Sequence, residues 1–505
     1  MNLLTVIPLS RSKFSDTLSY FTASDVPLGA LVSVPVRSKS IHAIVSDSRP
    51  VEDAKSDLKS APFAVRKLGA VKASAFFPSS FVESAKIIAE HYATNVGAVM
   101  DTLVSDLVLE NGHKISPPLP LQASFISAPP SPDETYAIQG DDADRISTWR
   151  SLIRQEFARR KSVAIYVPTI EDGKNMFKSL EKGIEGYIFL LNGSLPKKKF
   201  METWNTIANT DHSVVVIATG SFAVLPRSDI ETVVIERENG RGWISQKSPC
   251  IDLRFALETL SRKARQTVYL ADCMLRAETL HRIDEHEIPE GSPFKWRSVS
   301  TARDSIVDMR DESKRGEKQN DAEDNEEEKS FKVLSEELVD LIEKNREDNT
   351  HLFVMTLRKG LATSTVCGDC GTIVICENCS APVILHTSKD SGKNFFMCHK
   401  CGTRRSANET CKNCKGWRLT PLGIGLDRVK NEILAKVPDV DLFQVDTEST
   451  SSEKEISEVM EKFRARPGSV LIGTELALLH MYDKVDHTAV VSIDSLFALP
   501  DFRIE

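Results

Sequence analysis

The first hundred residues carry short apolar runs, LLTVIPL, ALVSVPV and IHAIVSD, rich in β-branched side chains and broken by Pro, Gly and Ser. This pattern predicts strands. Val32, Val34 and Val36 alternate around Ser33 and Pro35, the period of a half-buried strand. Phe81, Ala85, Ile88 and Tyr92 then recur at helical spacing and predict a helix over about 79–95 that closes a small β-rich domain. Residues 115–134 hold six prolines and little periodicity, which reads as a linker. From about 135 short apolar strands (SVAIYVP, GYIFLL, SVVVIAT, IETVVIE, QTVYLAD) alternate with amphipathic stretches. That order implies a parallel sheet covered by helices on both faces. A second such region starts near 331, is interrupted by a cysteine-rich insert, and resumes with DRVKNEILAKV, DLFQVD, KEISEVMEKFRAR, SVLIGT and TAVVSID.

The fold class expected is therefore α/β multidomain. A β-rich N-terminal domain over 1–105 is followed by a Pro-rich linker over 106–134. A first α/β lobe spans 135–307, an acidic linker 308–330, and a second lobe 331–505 with its insert at 367–414.

Composition narrows the class. The chain has 505 residues, 41% hydrophobic and 27% charged, as an ordinary globular protein does. No run of about 18 apolar residues occurs, so no membrane helix is expected. The N-terminus MNLLTVIPLSR lacks the features of a signal peptide, which makes a reducing cytoplasm the expected setting. The formal net charge of −8 argues against a protein that coats nucleic acid indiscriminately. Locally the balance differs. Residues 1–100 carry 11 Lys/Arg against 8 Asp/Glu, and residues 358–430 carry 12 against 5. Residues 308–329 carry 10 acids against 5 bases with almost no apolar side chains, the signature of a disordered segment. A polyanion would bind at the basic stretches.

Eight of the ten cysteines form four Cys-x2-Cys knuckles, at 367/370, 376/379, 398/401 and 411/414. A thiolate pair two residues apart places both sulfurs on one metal, and two pairs complete a tetrahedron. The 18 residues between the second and third knuckles fit a zinc ribbon. The expected pairing is nested, with Cys376, Cys379, Cys398 and Cys401 inside and Cys367, Cys370, Cys411 and Cys414 outside. Two closed sites leave no open position, so both zinc ions are expected to be structural. Cys250 and Cys273 read as core residues. His386, Lys389, Lys393, His399, Arg404 and Arg405 give the insert a basic surface suited either to phosphates or to plain solvation.

Several stretches resemble the primosomal protein N′ family of replication restart proteins, superfamily 2 helicases. LRKGLATSTVCGDCGTIVICENCSAPVILH is similar to the entry into that family's nested zinc insert. PLGIGLDRVKNEI resembles the helix after that insert, LIGTELALLH the family's motif V region, and SIDSLFALPDFR its next strand and PDFR signature. PLGALVSVPVRSKSIHAIV and AEHYATNVGAVM resemble the family's 3′-end DNA-binding domain. The likeness implies two helicase-like lobes, a cytoplasmic, nucleoid-associated protein, and binding to branched or single-stranded DNA. Its implied partners are other primosome proteins and single-strand binding protein. Carried over by position, Tyr20 would stack on a terminal base, and Arg66 or Lys67 would hold a phosphate.

The helicase motifs depart from the family pattern. The phosphate loop falls on Gly140 to Ser147, where only Gly140 and Ser147 match; Ile146 takes the lysine position, and Asp141, Asp142 and Asp144 add negative charge. The metal-binding Asp-Glu-Glu-His box reads Glu236-Arg237-Glu238-Asn239. Leu270–Met274 and Leu479-His480 depart at two further motifs, and an arginine-finger motif would lie beyond Glu505. The family's winged-helix and C-terminal domains are also missing from the pattern. The expectation from these losses is a fork-binding restart protein that promotes primosome assembly and helicase reloading. It is expected to use no ATP and to have no catalytic residues or enzymatic activity. Two alternatives remain: an active ATP-dependent 3′–5′ helicase, and a zinc-ribbon scaffold that does not bind DNA.

Overall fold

A computed structural model describes the chain apart from residues 11–15, 37–38, 54–64, 75, 117–133, 246–247, 292–301, 310–332, 357–363, 388–393, 399, 423–425, 447–449, 451, 482–484 and 494–505. Its contacts divide the chain into two compact units, Met1–Ser300 and Thr301–Glu505.

The first unit opens with strands β1 (Asn2–Pro8), β2 (Leu18–Thr22), β3 (Leu31–Val36), β4 (Lys39–Pro50), β5 (Arg66–Lys67) and β6 (Ala70–Ala73). They form one sheet in the order β5-β2-β1-β4-β3-β6. The pairings are antiparallel except that of β2 with β5. Alternation works as predicted: Leu4, Val6, Val32, Val34, Ala43 and Val45 fill a core on one face, and Ile7, Leu31 and Ile44 join a second core on the other. Helices α1 (Ser79–His91), α2 (Val96–Leu103) and α3 (Asp106–Asn111) cover that second face. Phe81, Ala85 and Ile88 form the buried stripe of α1. Asn95 and Ser105 cap α2 and α3, each accepting a bond from an amide at the helix start.

Residues 106–116 are structured. Helix α3 buries Val108 and Leu109, the Ser116 amide donates to Asn205 Oδ1 at 2.8 Å, and Trp204 Nε1 donates to the Ser116 carbonyl at 2.9 Å. The proline-rich remainder of the expected linker, and most of the acidic one, lie outside the described residues.

The chain continues through β7 (Thr135–Gln139), α4 (Asp142–Ala158), β8 (Ser162–Val167), α5 (Ile170–Leu180), β9 (Ile188–Leu191), α6 (Lys197–Asn209) and β10 (Val215–Thr219). Then come β11 (Ile230–Glu236), α7 (Leu253–Lys263), β12 (Thr267–Asp272) and α8 (Ala277–Asp284). The sheet is parallel throughout, in the order β7-β12-β11-β8-β10-β9. Every residue of β8 is buried, as a central strand covered on both faces requires. The core of this lobe merges with that of the β-rich domain: Phe76, Phe81, Val99 and Leu103 pack with Phe200, Trp204, Phe222 and Leu257.

The second unit contains α9 (Glu336–Glu347) and β13 (Leu352–Thr356), then the insert strands β14 (Ser364–Cys367), β15 (Ile384–Thr387), β16 (Asn394–Met397), β17 (Arg404–Ser406) and β18 (Leu419–Leu422). It resumes with α10 (Leu426–Lys436), β19 (Leu442–Val445), α11 (Glu453–Arg464), β20 (Val470–Gly473), α12 (Glu475–Leu478) and β21 (His487–Val491). Among the described residues the lobe sheet is parallel, β19-β20-β13-β21. A capping box between Ser452 and Glu455 starts α11. The insert leaves after β13 and returns before α10; β14 pairs with β18 across its base, and β15-β16-β17 form a small antiparallel sheet. No described helix is long and apolar enough to cross a membrane.

Candidate metal centres and the crevice of the first lobe

The eight knuckle cysteines gather into two sets of four: Cys367, Cys370, Cys411 and Cys414, and Cys376, Cys379, Cys398 and Cys401. This is the nested partition that the spacing predicts. Sulfur–sulfur distances across the knuckles are 3.5 and 3.6 Å in the outer set and 3.6 and 3.4 Å in the inner one. A tetrahedron with metal–sulfur bonds of about 2.3 Å has edges of about 3.8 Å. The sets therefore have nearly the size of a closed four-sulfur metal site, and all eight thiols are free of disulfides.

A repeated backbone turn builds each half-site. In every knuckle the first cysteine's amide donates to the carbonyl five residues on (Thr372, Ala381, Thr403, Gly416). The amide four residues on donates back to that cysteine's carbonyl. The residue four after the first cysteine is left-handed each time: Gly371 at φ 74°, Ser380 at 58°, Gly402 at 75° and Lys415 at 62°. Only two of these are glycines, so the turn is held against some strain. Thr372 Oγ1 lies 3.2 Å from Cys370 Sγ, and Thr403 Oγ1 lies 3.1 Å from Cys401 Sγ. Hydrogen bonding by these threonines brings the Cys370 thiol down to about 6 and the Cys401 thiol to about 5. Both shifts favour the thiolate, the form that ligates metal. Backbone amides pull the Cys379 and Cys414 thiols down, but the neighbouring thiols and burial outweigh them and push both up. The number and spacing of the sulfurs fit two closed zinc sites.

Around the sites, Arg404 and Arg405 lie over the Phe395 and Phe396 rings at 5.7 and 5.5 Å. Arg405 also pairs with Glu409, Lys412 with Glu377, and Arg418 with Asp369. Lys389, Lys393, His399 and the His386 side chain fall outside the described residues.

In the β-rich domain Tyr20 is 5% exposed and donates its hydroxyl to the Pro35 carbonyl at 3.0 Å. It is a core residue of β2. The expected stacking on a terminal base is corrected on that ground, because the ring faces the sheet core instead of solvent. Arg66 and Lys67 do sit beside it, exposed on the edge strand β5, in register with Tyr20 and Phe21.

In open parallel sheets ligands bind at the carboxyl ends of the strands. There, Gly140 ends β7 and Asp141 caps α4, its Oδ1 accepting from the Asp144 amide at 2.8 Å. The turn is short. A Cβ on Gly140 would meet nothing nearer than 3.7 Å, so no close approach demands the glycine. Ile146 packs into the sheet core, and Ser147 is exposed. The cation of this turn comes from Arg145, one position earlier. Its buried guanidinium donates to Glu236 Oε1 at 2.8 Å, to Asp142 Oδ1 at 2.6 Å and to the Gly140 carbonyl. Trp149 Nε1 holds the other Glu236 oxygen at 2.9 Å. Burial works against the Arg145 cation, but Glu236 and Asp142 outweigh it and keep it charged.

Arg237 adopts φ 52° at the end of β11 and bridges Asp142 and Asp172, both at 3.1 Å. Burial pushes the Asp172 carboxyl up, against the pull of Arg237. Glu238, fully buried, accepts from Arg254 and from the Arg276 amide, both at 2.6 Å. Sequence reasoning missed Arg145 and Arg254. The only local signal was the i,i+3 spacing of Asp142 and Arg145.

No family model matches the chain. The fold is two parallel α/β lobes, the second interrupted by a cysteine module that can hold two metals, and the similar proteins point to its class. The chain is 23% identical over 347 residues to the replication restart protein PriA of Haemophilus influenzae, covering 68% of this chain and 45% of that one. It is 22% identical over 498 residues to PriA of Helicobacter pylori, covering 96% and 73%. For PriA of Bacillus subtilis the figures are 21%, 70% and 42%. The resemblance to the PriA replication restart proteins is therefore borne out, over a chain that spans 42% to 73% of those relatives. Solved structures overlap only loosely: RecG bound to a three-way DNA junction at 9% identity, covering 84% of this chain and 38% of that one, with TM-score 0.34, and the NS3-like helicase from Alongshan virus at 13%, covering 68% and 58%, with TM-score 0.31. Such scores support no argument.

The relatives correct one expectation. A likeness to replication restart protein PriA along 96% of the chain gives the expectation of a non-enzyme no support, and that expectation does not stand. That expectation counted Ile146 as a missing cation; the cation the fold brings into the same turn, Arg145, is buried and paired with Glu236 and Asp142.

Proposed function

We propose that this chain acts in replication restart, recognising branched DNA left at a stalled fork and working there as an ATP-dependent, helicase-like protein. The observation that carries the reading is the alignment with PriA over 498 residues, from the β-rich domain through both lobes. The β-rich domain is the part that meets the 3′ end of a nascent strand. Arg66 and Lys67, on its exposed edge strand, are suited to phosphate contacts. The insert holds two zinc ions, each on four thiolates, as a structural module. Primosome proteins and single-strand binding protein are the partners that this role implies.

In the first lobe, Arg145 and Arg237 already lie in ion pairs across the crevice. A nucleotide phosphate entering the turn must therefore compete with Glu236 and Asp142 for Arg145.

One preparation of the full chain tests the reading. Binding is compared between forks ending in a 3′-hydroxyl and in a 3′-phosphate at about 0.15 M salt, since low salt inflates nonspecific affinity. ATP hydrolysis is followed with and without the fork. Preference for the hydroxyl and DNA-stimulated hydrolysis above a mock purification are expected. Equal affinity for both ends removes the 3′-end role, and no stimulated hydrolysis removes the motor.

A further inference from the structure

Trp417 is 80% exposed, whereas Trp149, Trp204 and Trp243 are buried. An indole left in water forgoes a large burial energy, and here it is also mounted rigidly. The Gly416 carbonyl accepts from the Cys411 amide at 2.7 Å, and the Arg418 carbonyl accepts from the Gly368 amide at 2.7 Å. Trp417 is thus pinned on both sides to the outer metal site. An open trough of about 700 Å³ beside the ring is lined by residues 407–410, Lys412, Lys415 and Trp417 itself.

Charge selects the occupant. Residues 358–430 carry 12 Lys/Arg against 5 Asp/Glu. Eight thiolates around two divalent ions contribute about four negative charges, so the region stays net positive once metal is bound. The acids near the ring are already neutralised, Glu409 by Arg405 at 2.8 Å, Glu377 by Lys412 at 2.8 Å and Asp369 by Arg418 at 2.9 Å. Lys415 is exposed next to the ring. A protein-binding patch would place further apolar side chains around its anchor and few lysines at its centre. Among the described residues of the insert the other large exposed apolar side chain is Ile375.

We propose that Trp417 is a stacking platform for one base of single-stranded DNA, with Lys415 on the adjoining phosphate. The assignment rests on the DNA-binding reading above and locates a second contact, in the insert instead of the β-rich domain. A rigid aromatic face flanked by cations takes any base, because stacking is indifferent to sequence.

The test uses the zinc-loaded full chain and a labelled single-stranded oligonucleotide of about 16 nucleotides, read by anisotropy at about 0.15 M salt. Trp417→Ala is expected to weaken binding by about 5- to 150-fold, the range of one lost base stack. Trp417→Phe, which keeps a ring, is expected to stay within a few-fold of the unaltered chain. Lys415→Gln is expected to lower the salt slope by about one. Unchanged zinc content in each variant shows that the outer site is intact. Equal affinity of Trp417→Ala and the unaltered chain overturns the assignment and leaves the ring as a protein contact. If the unaltered chain binds neither this strand nor a fork, the restart reading itself fails.

Discussion

Arg145 shows how far one side chain can depart from what its neighbours in sequence suggest. It is 1% exposed, and Glu236 is 3% exposed. Removing one partner of such a pair strands a buried charge, so Arg145→Ala is expected to destabilise the first unit by about 3–5 kcal/mol in denaturant unfolding. Arg145→Ala combined with Glu236→Gln is expected to cost less than Arg145→Ala alone; a double cost equal to the sum of the two single costs would show that the two do not interact. Asp142 adds a pH dependence. Burial pushes its carboxyl up, but Arg145 and Arg237 outweigh burial and hold it below its ordinary value. A carboxylate with a depressed folded value stabilises the fold above its unfolded value of about 3.9, and that stability is lost as pH falls through the folded one. Asp142→Asn is therefore expected to flatten the acid limb of stability below about pH 4, measured by thermal melts across pH. Tyr20→Ala is expected to lower stability without selective loss of 3′-end binding, whereas Arg66→Ala or Lys67→Ala lowers affinity and the salt slope by about one each.

The four knuckles are one element used four times: a tight turn with a left-handed fifth residue and two reciprocal backbone bonds. Each is too small to fold on apolar burial, so metal binding and local folding share one free energy. Cys376→Ser is expected to release one of two zinc ions and to expose the three remaining inner sulfurs to a thiol reagent. Metal analysis that finds both ions retained would refute the nested assignment. Strands and helices followed the same local logic. Apolar periodicity marked the β8 and β11 runs and the helix at 79–95, because each of these segments buries its own stripe. Strand β2 and helices α2 and α3 escaped it: they are short, and their burial is set by partners far along the chain, such as the Val104–Phe222 bridge.

The β-rich domain and the first lobe share one buried cluster, so they are expected to unfold together. Tyr92 reinforces the joint by accepting a bond from the Asp252 amide at 3.1 Å, and His91 stacks on Phe255 at 4.4 Å. A fragment of residues 1–300 is expected to fold and to show one unfolding transition; two separate transitions would place a domain boundary inside it. The sequence by itself determined the α/β class, the cysteine partition and the likeness to PriA. All of these rest on spacing along the chain, which local backbone geometry reads directly. Only the tertiary structure decided that Tyr20 is buried, that residues 106–116 belong to the first unit, and that Arg145 supplies the cation at the crevice. Each depends on which side chains meet across strands that lie tens of residues apart, and a buried ion pair between positions 145 and 236 leaves no periodic trace in the sequence.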